Sequence, residues 1–85
     1  MPWNVKVADR VLKDVKKFPK KDVQRLLFVI EEMEKNPYQG DVQKLKGEEN
    51  VWRCRTGSYR ILYEIFPVKN MVWVFDVKRR TSSTY

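Results

Sequence analysis

Hydrophobic and polar positions alternate at the start of the chain and then change to a helical period. Trp3, Val5 and Val7 are separated by single polar residues, and this period of two predicts a short first strand. Asp9 then offers an N-cap, and apolar residues recur three or four positions apart until Pro19, which ends the helix because proline has no backbone N–H. The apolar positions of this first helix are Val11, Leu12, Val15 and Phe18.

A second helical pattern follows after a minimal loop. It begins at Asp22, or has Asp22 in its first turn, and it stops at Asn36 and Pro37. Two consecutive helices joined by a tight turn predict an antiparallel helical hairpin. The positions predicted to face the core in this second helix are Val23, Leu26, Leu27, Ile30 and Met33.

The second half of the chain predicts strands. Residues 38–50 contain two glycines and scattered charges with little periodicity, so they predict a loop that brings Leu45 to a sheet. Turn signals at Gly57 and at residues 67–70 separate the strands that follow. The last strand is apolar on both faces, which predicts a central position covered on both sides. The predicted strands are 51–55, 59–66 and 71–78.

Length and element order together predict the fold class. A chain of 85 residues has room for one domain, in which every apolar element shares a single core. We therefore expect one α+β domain over residues 1–85, in which an N-terminal strand and a two-helix hairpin pack on a small, twisted, mainly antiparallel sheet.

The predicted hairpin at residues 52–65 sorts its side chains by chemistry. Arg53 and Arg55 share one face, because successive side chains of a strand point to opposite sides. Such an array of guanidinium groups matches phosphate oxygens, but exposed faces of antiparallel sheets also carry solvated Arg and Lys. The second strand places Arg60, Leu62 and Glu64 on one face and Tyr59, Ile61, Tyr63 and Ile65 on the other, where both tyrosines are predicted to be core residues, as is Trp52.

The charge distribution favours a polyanionic partner. Eighteen Lys and Arg oppose eleven Asp and Glu, a formal charge of +7. Residues 1–43 hold nine basic and seven acidic groups, and residues 44–85 hold nine and four, so the halves carry +2 and +5. The excess lies on the predicted sheet and suits either a nucleic acid or an acidic protein.

Composition also indicates the cellular compartment and excludes some kinds of site. Cys54 is the single cysteine, so no internal disulfide forms, in agreement with a reducing cytoplasm, and we expect it to be a small core residue. With no His, the sequence predicts no metal site and no cofactor. Apolar runs such as residues 26–30 are far too short to span a bilayer, and no signal peptide is recognisable, so no membrane partner is expected.

Several motifs together resemble one protein family. They are NPYQG, the KLKG motif at residues 44–47, the R-x-R-x-G-x-Y-R-x-x-Y pattern at residues 53–63 and the closing VKRRTSSTY. In this order, after a strand and two helices, they resemble the RelE/ParE superfamily of bacterial and archaeal toxins. The resemblance implies the toxin of a type II toxin-antitoxin pair, held inactive by a cognate protein antitoxin. The charge of +7 predicts that this antitoxin is acidic.

The superfamily divides by function. RelE-like members cut mRNA in the ribosomal A site, whereas ParE-like members inhibit DNA gyrase without nuclease activity. The cluster of arginines favours the RelE-like function, a metal-independent, ribosome-dependent mRNA endonuclease that inhibits translation in the cytoplasm. A ParE-like gyrase inhibitor, or an inactive relic that only binds antitoxin, remains the alternative.

Site residues follow from the same resemblance. Arg60 would bind the scissile phosphate, Arg80 would assist near the leaving group, and Tyr85 would orient or deprotonate the 2′-OH. The remaining predicted RNA-binding residues are Lys44, Lys46, Arg53, Arg55, Lys78 and Arg79.

Three alternatives stay open at these positions. Residues 78–80 are either RNA ligands or a solvated cationic run, and Tyr85 is either a catalytic group or merely the end of the sequence. Glu64 and Asp76 are more simply ion-pair partners of Arg60 or Lys78 than catalytic bases.

Overall fold

A computed structural model of the chain describes residues 2–79. Within this range five strands form a sheet in the order β1, β5, β4, β3, β2, and two α-helices pack on one of its faces. The strands are β1 Asn4–Val7, β2 Val42–Lys44, β3 Val51–Thr56, β4 Tyr59–Phe66 and β5 Met71–Arg79; the helices are α1 Asp9–Val15 and α2 Lys20–Glu32. We call the covered side of the sheet the helix face and the other side the open face.

Strand pairing confirms the predicted fold class. β1 runs parallel to β5, whereas the β2–β3, β3–β4 and β4–β5 pairs are antiparallel, so the sheet is mainly antiparallel in an α+β domain. β5 lies between β1 and β4, an inner position as its continuous apolar sequence predicted. The prediction that both of its faces are covered is wrong for the described helices, because α1 and α2 pack on one face only. Its Val72 and Val74 are buried on the helix face, and Trp73 is half-buried.

The prediction of a featureless loop over residues 38–50 is wrong, because it contains β2. Val42, Gln43 and Lys44 pair with Cys54, Arg53 and Trp52 of β3. The strand has only three residues, of which Val42 alone is partly buried, so it shows no alternation from which sequence reasoning could have found it. The consequence is that β2, rather than β3, forms this edge of the sheet.

Both helices form where the period predicted them, with shifted ends. Ala8 is the N-cap of α1 and Asp9 lies in its first turn. α2 begins directly after Pro19 and ends at Glu32, four residues before Asn36. Two predicted core positions, Leu12 and Leu27, are 45% and 47% exposed, because a helix packed on one side buries a narrower stripe than the apolar pattern covers.

The core lies between the helices and the helix face. Leu26 of α2 and Ile61 and Tyr63 of β4 are fully buried there. Cys54 is buried as predicted, and burial together with the nearby carboxylate of Asp41 raises the pKa of its thiol, so the group stays protonated. Within residues 2–79 neither helix has the length and apolar character needed to span a membrane.

Candidate nucleic-acid interface

Three cations lie side by side across the open face. The β3–β4 register pairs Arg55 with Arg60, and the β4–β5 register pairs Arg60 with Lys78. Side chains directly opposite each other on antiparallel strands project from the same face, with Cβ atoms about 5 Å apart. We call these three residues the cation row, and Arg60 occupies its centre.

The hairpin turn explains why Arg55 and Arg60 meet. Thr56 pairs with Tyr59, and only two residues connect the strands. Gly57 in this turn has φ +58°, a left-handed conformation that glycine adopts without steric cost. A Cβ atom there would also lie 3.1 Å from an Nη of Arg25. The turn therefore fixes the register on which the row depends.

A β-bulge brings Lys78 into the row. Tyr63 pairs with Val74 and Leu62 with Asp76, so Phe75 is an extra residue in β5. Val72 and Val74 face the core, and uninterrupted alternation would send Lys78 to the same side. The bulge reverses the alternation, so that Val77 is buried and Lys78 joins Arg60 on the open face.

The cations of the open face differ in their polar partners. An Nη of Arg53 donates a hydrogen bond to Oε1 of Gln43, its cross-strand neighbour. Nε of Arg55 lies 3.5 Å from Oδ2 of Asp41, and both side chains are largely exposed. The Nε atoms of Arg53 and Arg60 are buried and have no hydrogen-bond partner within residues 2–79. Arg60 thus holds a guanidinium at the centre of the row that forms no ion pair with a described carboxylate.

Asp76 is neutralised from outside the row. Its Oδ1 lies 3.1 Å from an Nη of Arg10 in α1, and its side chain is 14% exposed. β1 ends opposite Val74, so beyond that residue no described strand pairs with this edge of β5. The N–H of Ala8 donates a hydrogen bond to the Val74 carbonyl at 2.9 Å, which brings the start of α1 to the same edge. The expectation that Asp76 pairs with Lys78 or Arg60 is therefore wrong.

The predicted core tyrosines lie on the helix face, with their hydroxyls in hydrogen bonds. The Tyr59 hydroxyl donates to Oδ2 of Asp22 at 2.6 Å, and the Tyr63 hydroxyl donates to the Pro37 carbonyl at 2.9 Å. Burial raises the pKa of both; for Tyr59 the bond to Asp22 adds to the rise and the nearby Arg79 opposes it. Both hydroxyls therefore stay protonated and unsuited to proton abstraction at neutral pH.

Comparison with known proteins decides the family. The family model described as "ParE toxin of type II toxin-antitoxin system, parDE" matches residues 5–83. The chain belongs to the RelE/ParE toxin family. This toxin is 31% identical to RelE1 of Methanocaldococcus jannaschii over 83 residues, which are 94% of this chain and 92% of that protein.

Solved structures of archaeal complexes are similar to this RelE-family toxin. The RelE–RelB complex of Pyrococcus horikoshii OT3 matches with a TM-score of 0.84 and 27% identity, covering 98% of this chain and 100% of that one. The RelB–RelE antitoxin–toxin complex of Methanococcus jannaschii matches with a TM-score of 0.72 and 27% identity, covering 86% and 87%. The resemblance inferred from the sequence motifs is confirmed.

The structure distributes the toxin's predicted site residues unequally. Arg55, Arg60 and Lys78 form the cation row, and Arg53 lies beside it on the open face. Lys44 pairs with Trp52 and so projects on the helix face.

The other predicted cations lie elsewhere. Arg79 pairs with Tyr59, and its Cζ lies 5.8 Å from the centroid of that ring, on the helix face. Lys46 is in the turn after β2. Arg80 and Tyr85 lie outside the described residues.

Sequence reasoning missed three residues that bind charged side chains of the open face. Asp41 and Gln43 contact Arg55 and Arg53, but they lie in the stretch that was predicted to be a loop. Arg10 pairs with Asp76 across 66 positions, as the start of α1 meets the end of β5, and no local pattern announces such a contact. A period of two around Val42 would have been the signal for β2, but three residues are too few to show it.

Proposed function

We propose that this toxin is a metal-independent endoribonuclease that cleaves mRNA on the ribosome. The observation that carries the proposal is the position of Arg60 between Arg55 and Lys78 in the cation row. Three adjacent cations on a sheet face that neither α1 nor α2 covers suit a run of phosphates. The Arg60 guanidinium forms no ion pair with a carboxylate of residues 2–79, which supports the same function, since its charge can stabilise a phosphate that gains charge during the reaction.

The proposed reaction uses the RNA's own 2′-OH as nucleophile. The 2′-oxygen attacks the adjacent phosphorus, the bond to the 5′-oxygen breaks, and the products are a 2′,3′-cyclic phosphate and a free 5′-OH. Arg60 donates hydrogen bonds to the non-bridging oxygens of the crowded phosphorus, while Arg55 and Lys78 hold neighbouring phosphates.

Two proton transfers complete the reaction. The 2′-OH must lose a proton, and the leaving 5′-oxygen must gain one. We assign the first to Tyr85, as the family resemblance implies. Arg80 assists near the leaving group, where its charge stabilises the departing 5′-oxygen while water supplies the proton. The buried Tyr59 and Tyr63 do not compete for these roles, because their hydroxyls are bonded and their pKa values are raised.

An acidic antitoxin is the proposed regulator of this activity. The P. horikoshii and M. jannaschii relatives were each solved in complex with RelB. A chain of charge +7 favours a net acidic partner whose flexible segment orders over Arg53, Arg55 or the end of β5. Toxin and antitoxin would meet in the cytoplasm, where ribosomes work. We expect the affinity of the pair to fall as salt rises.

Mapping the 5′ ends of mRNA after induction tests the nuclease function. Wild-type toxin should create new ends within translated regions, and Arg60→Ala at equal abundance should create none. Lys13→Ala is a matched control, since Lys13 is an exposed cation of α1 outside the cation row. New ends in the Arg60→Ala strain at the wild-type level would contradict the proposal.

A ParE-like function is the second candidate, because the matching family model is described by the parDE system. A gyrase inhibitor would leave transcripts intact and stop the supercoiling of relaxed plasmid by purified gyrase. Loss of supercoiling without new mRNA ends would select this candidate. If supercoiling continues and no new mRNA ends appear, the protein is a relic that only binds antitoxin.

A further inference from the structure

The open face carries an apolar area next to the cation row. Leu62, Phe66, Met71 and Trp73 are half-buried, and the strand register places all four on the side opposite the helices. Neither α1 nor α2 covers this side. The face therefore presents large apolar side chains and cations together, a combination typical of surfaces that bind single-stranded nucleic acid.

Trp73 is the largest of these side chains and has an informative neighbourhood. It pairs with Glu64 of β4 and with Lys6 of β1. A carboxylate in this position repels phosphate, but it accepts hydrogen bonds from the amino groups of bases. The cross-strand pair of Glu64 and Trp73 thus suits a base of the RNA rather than its phosphate backbone.

The distance between the two areas matches a short stretch of RNA. Glu64 follows Arg60 by four positions on β4, which is about 13 Å along an extended strand. A few nucleotides cover this distance. One strand of RNA can therefore keep a phosphate on Arg60 and turn a base toward Trp73.

We propose that Trp73 is a stacking platform for a base of single-stranded RNA whose backbone lies on the cation row. The proposal rests on the proposed nuclease function and names the RNA contact that lies outside the reacting phosphate. Glu64 lies directly beside the indole, where it repels acidic side chains but can accept hydrogen bonds from the amino groups of a base. This position therefore favours a base of RNA over an acidic protein segment, and the cation row holds the phosphates away from Glu64.

Fluorescence of Trp73 tests the contact directly, with no need for cleavage. The double variant Trp3→Phe and Trp52→Phe leaves Trp73 as the single tryptophan and keeps an aromatic ring against Tyr38, whose ring centroid lies 6.0 and 5.3 Å from the two removed indoles. A 2′-O-methyl oligoribonucleotide, which cannot react, should quench the emission. Inorganic polyphosphate, which has charge but no bases, should not quench it. Equal quenching by both polymers, or quenching by neither, would overturn the proposal.

Binding affinities give an independent measurement. Trp73→Phe keeps a π-face and should bind the oligoribonucleotide nearly as well as wild type, whereas Trp73→Leu should bind about tenfold more weakly. Thermal unfolding of each variant shows whether it is folded. Equal affinity in folded Trp73→Leu protein would overturn the proposal, as would a loss confined to antitoxin binding, which would assign this face to a protein partner.

The cleavage assay distinguishes this failure from failure of the proposed function. If Trp73→Leu cleaves mRNA at the wild-type rate and affinity, the nuclease stands and the platform falls. If the oligoribonucleotide stacks on Trp73 but no mRNA is cut, the platform stands and the nuclease falls.

Discussion

The two faces of the β3–β4 hairpin have the same backbone and opposite chemistry. On the helix face, Tyr59 and Tyr63 are buried, and each hydroxyl is bonded to a fixed acceptor. On the open face, Arg60 lies between the two tyrosines in sequence and has a buried Nε with no partner among the described residues. The hydroxyls of the helix face are satisfied internally, whereas the guanidinium of Arg60 forms no ion pair with a described carboxylate.

This difference separates stability from function along a single strand. A buried hydroxyl without a partner would cost about 1 to 3 kcal/mol, so the helix face needs its acceptors Asp22 and Pro37 in order to fold. The side chain of Arg60 makes no hydrogen bond or ion pair within residues 2–79, so its truncation leaves no described group without a partner. We therefore expect substitutions on the helix face to change folding, and substitutions in the cation row to change activity.

The largest expected effect is on the open face. Arg60→Ala should lower the rate of mRNA cleavage by about 10² to 10³-fold, since it removes charge that acts mainly in the transition state. Its melting temperature should change little. Single-turnover cleavage on programmed ribosomes, together with thermal unfolding, measures both quantities. A large fall in stability would show that the two faces are not separate.

The helix face should show the reverse behaviour. Tyr63→Phe keeps the ring but leaves the Pro37 carbonyl without its donor, which should lower the free energy of unfolding by about 1 to 3 kcal/mol. Protein that remains folded should cleave at the wild-type rate. Denaturant unfolding and an activity corrected for the folded fraction check this prediction. Reduced activity with unchanged stability would contradict the division between the faces.

Sequence patterns predicted the two faces of this hairpin better than they predicted the row across it. Alternation in β3 and β4 is uninterrupted, so the opposite placement of Arg60 and the tyrosines followed from a period of two. Lys78 reaches the row only because Phe75 is an extra residue, and a change of phase between Val74 and Val77 is a weak signal among continuous apolar residues. The ion pair of Arg10 with Asp76 depends on tertiary packing and has no local signature.

High pH offers a further way to test the helix face. The pKa of Tyr59 is raised from its ordinary value of 10.0, chiefly by burial and then by the bond to Asp22, so the folded state favours the neutral phenol. The resulting stability is present in full below pH 10 and is lost as the pH rises through the folded pKa.

Melting temperatures between about pH 8 and pH 11 measure this loss. Wild-type protein should lose more stability over that range than Tyr59→Phe, which has no phenol to ionise. The difference between the two proteins should therefore shrink as the pH rises. Parallel curves would show that Tyr59 does not contribute to the pH dependence.

The smallest expected effect compares two exposed lysines on opposite faces. Lys78 lies in the cation row, whereas Lys44 projects on the helix face at the edge of the sheet. If RNA lies along the row, Lys78→Ala removes one phosphate contact and should reduce the slope of log affinity against log salt by about 0.7, the value for one contact to a single strand. Lys44→Ala removes the same net charge from the protein and should leave the slope unchanged.

Both variants have a net charge of +6, so a general electrostatic attraction predicts equal slopes for them. Only an RNA backbone held on the open face predicts a difference. Equal slopes would therefore mean that the RNA responds to the whole charge of the toxin rather than to one face of its sheet.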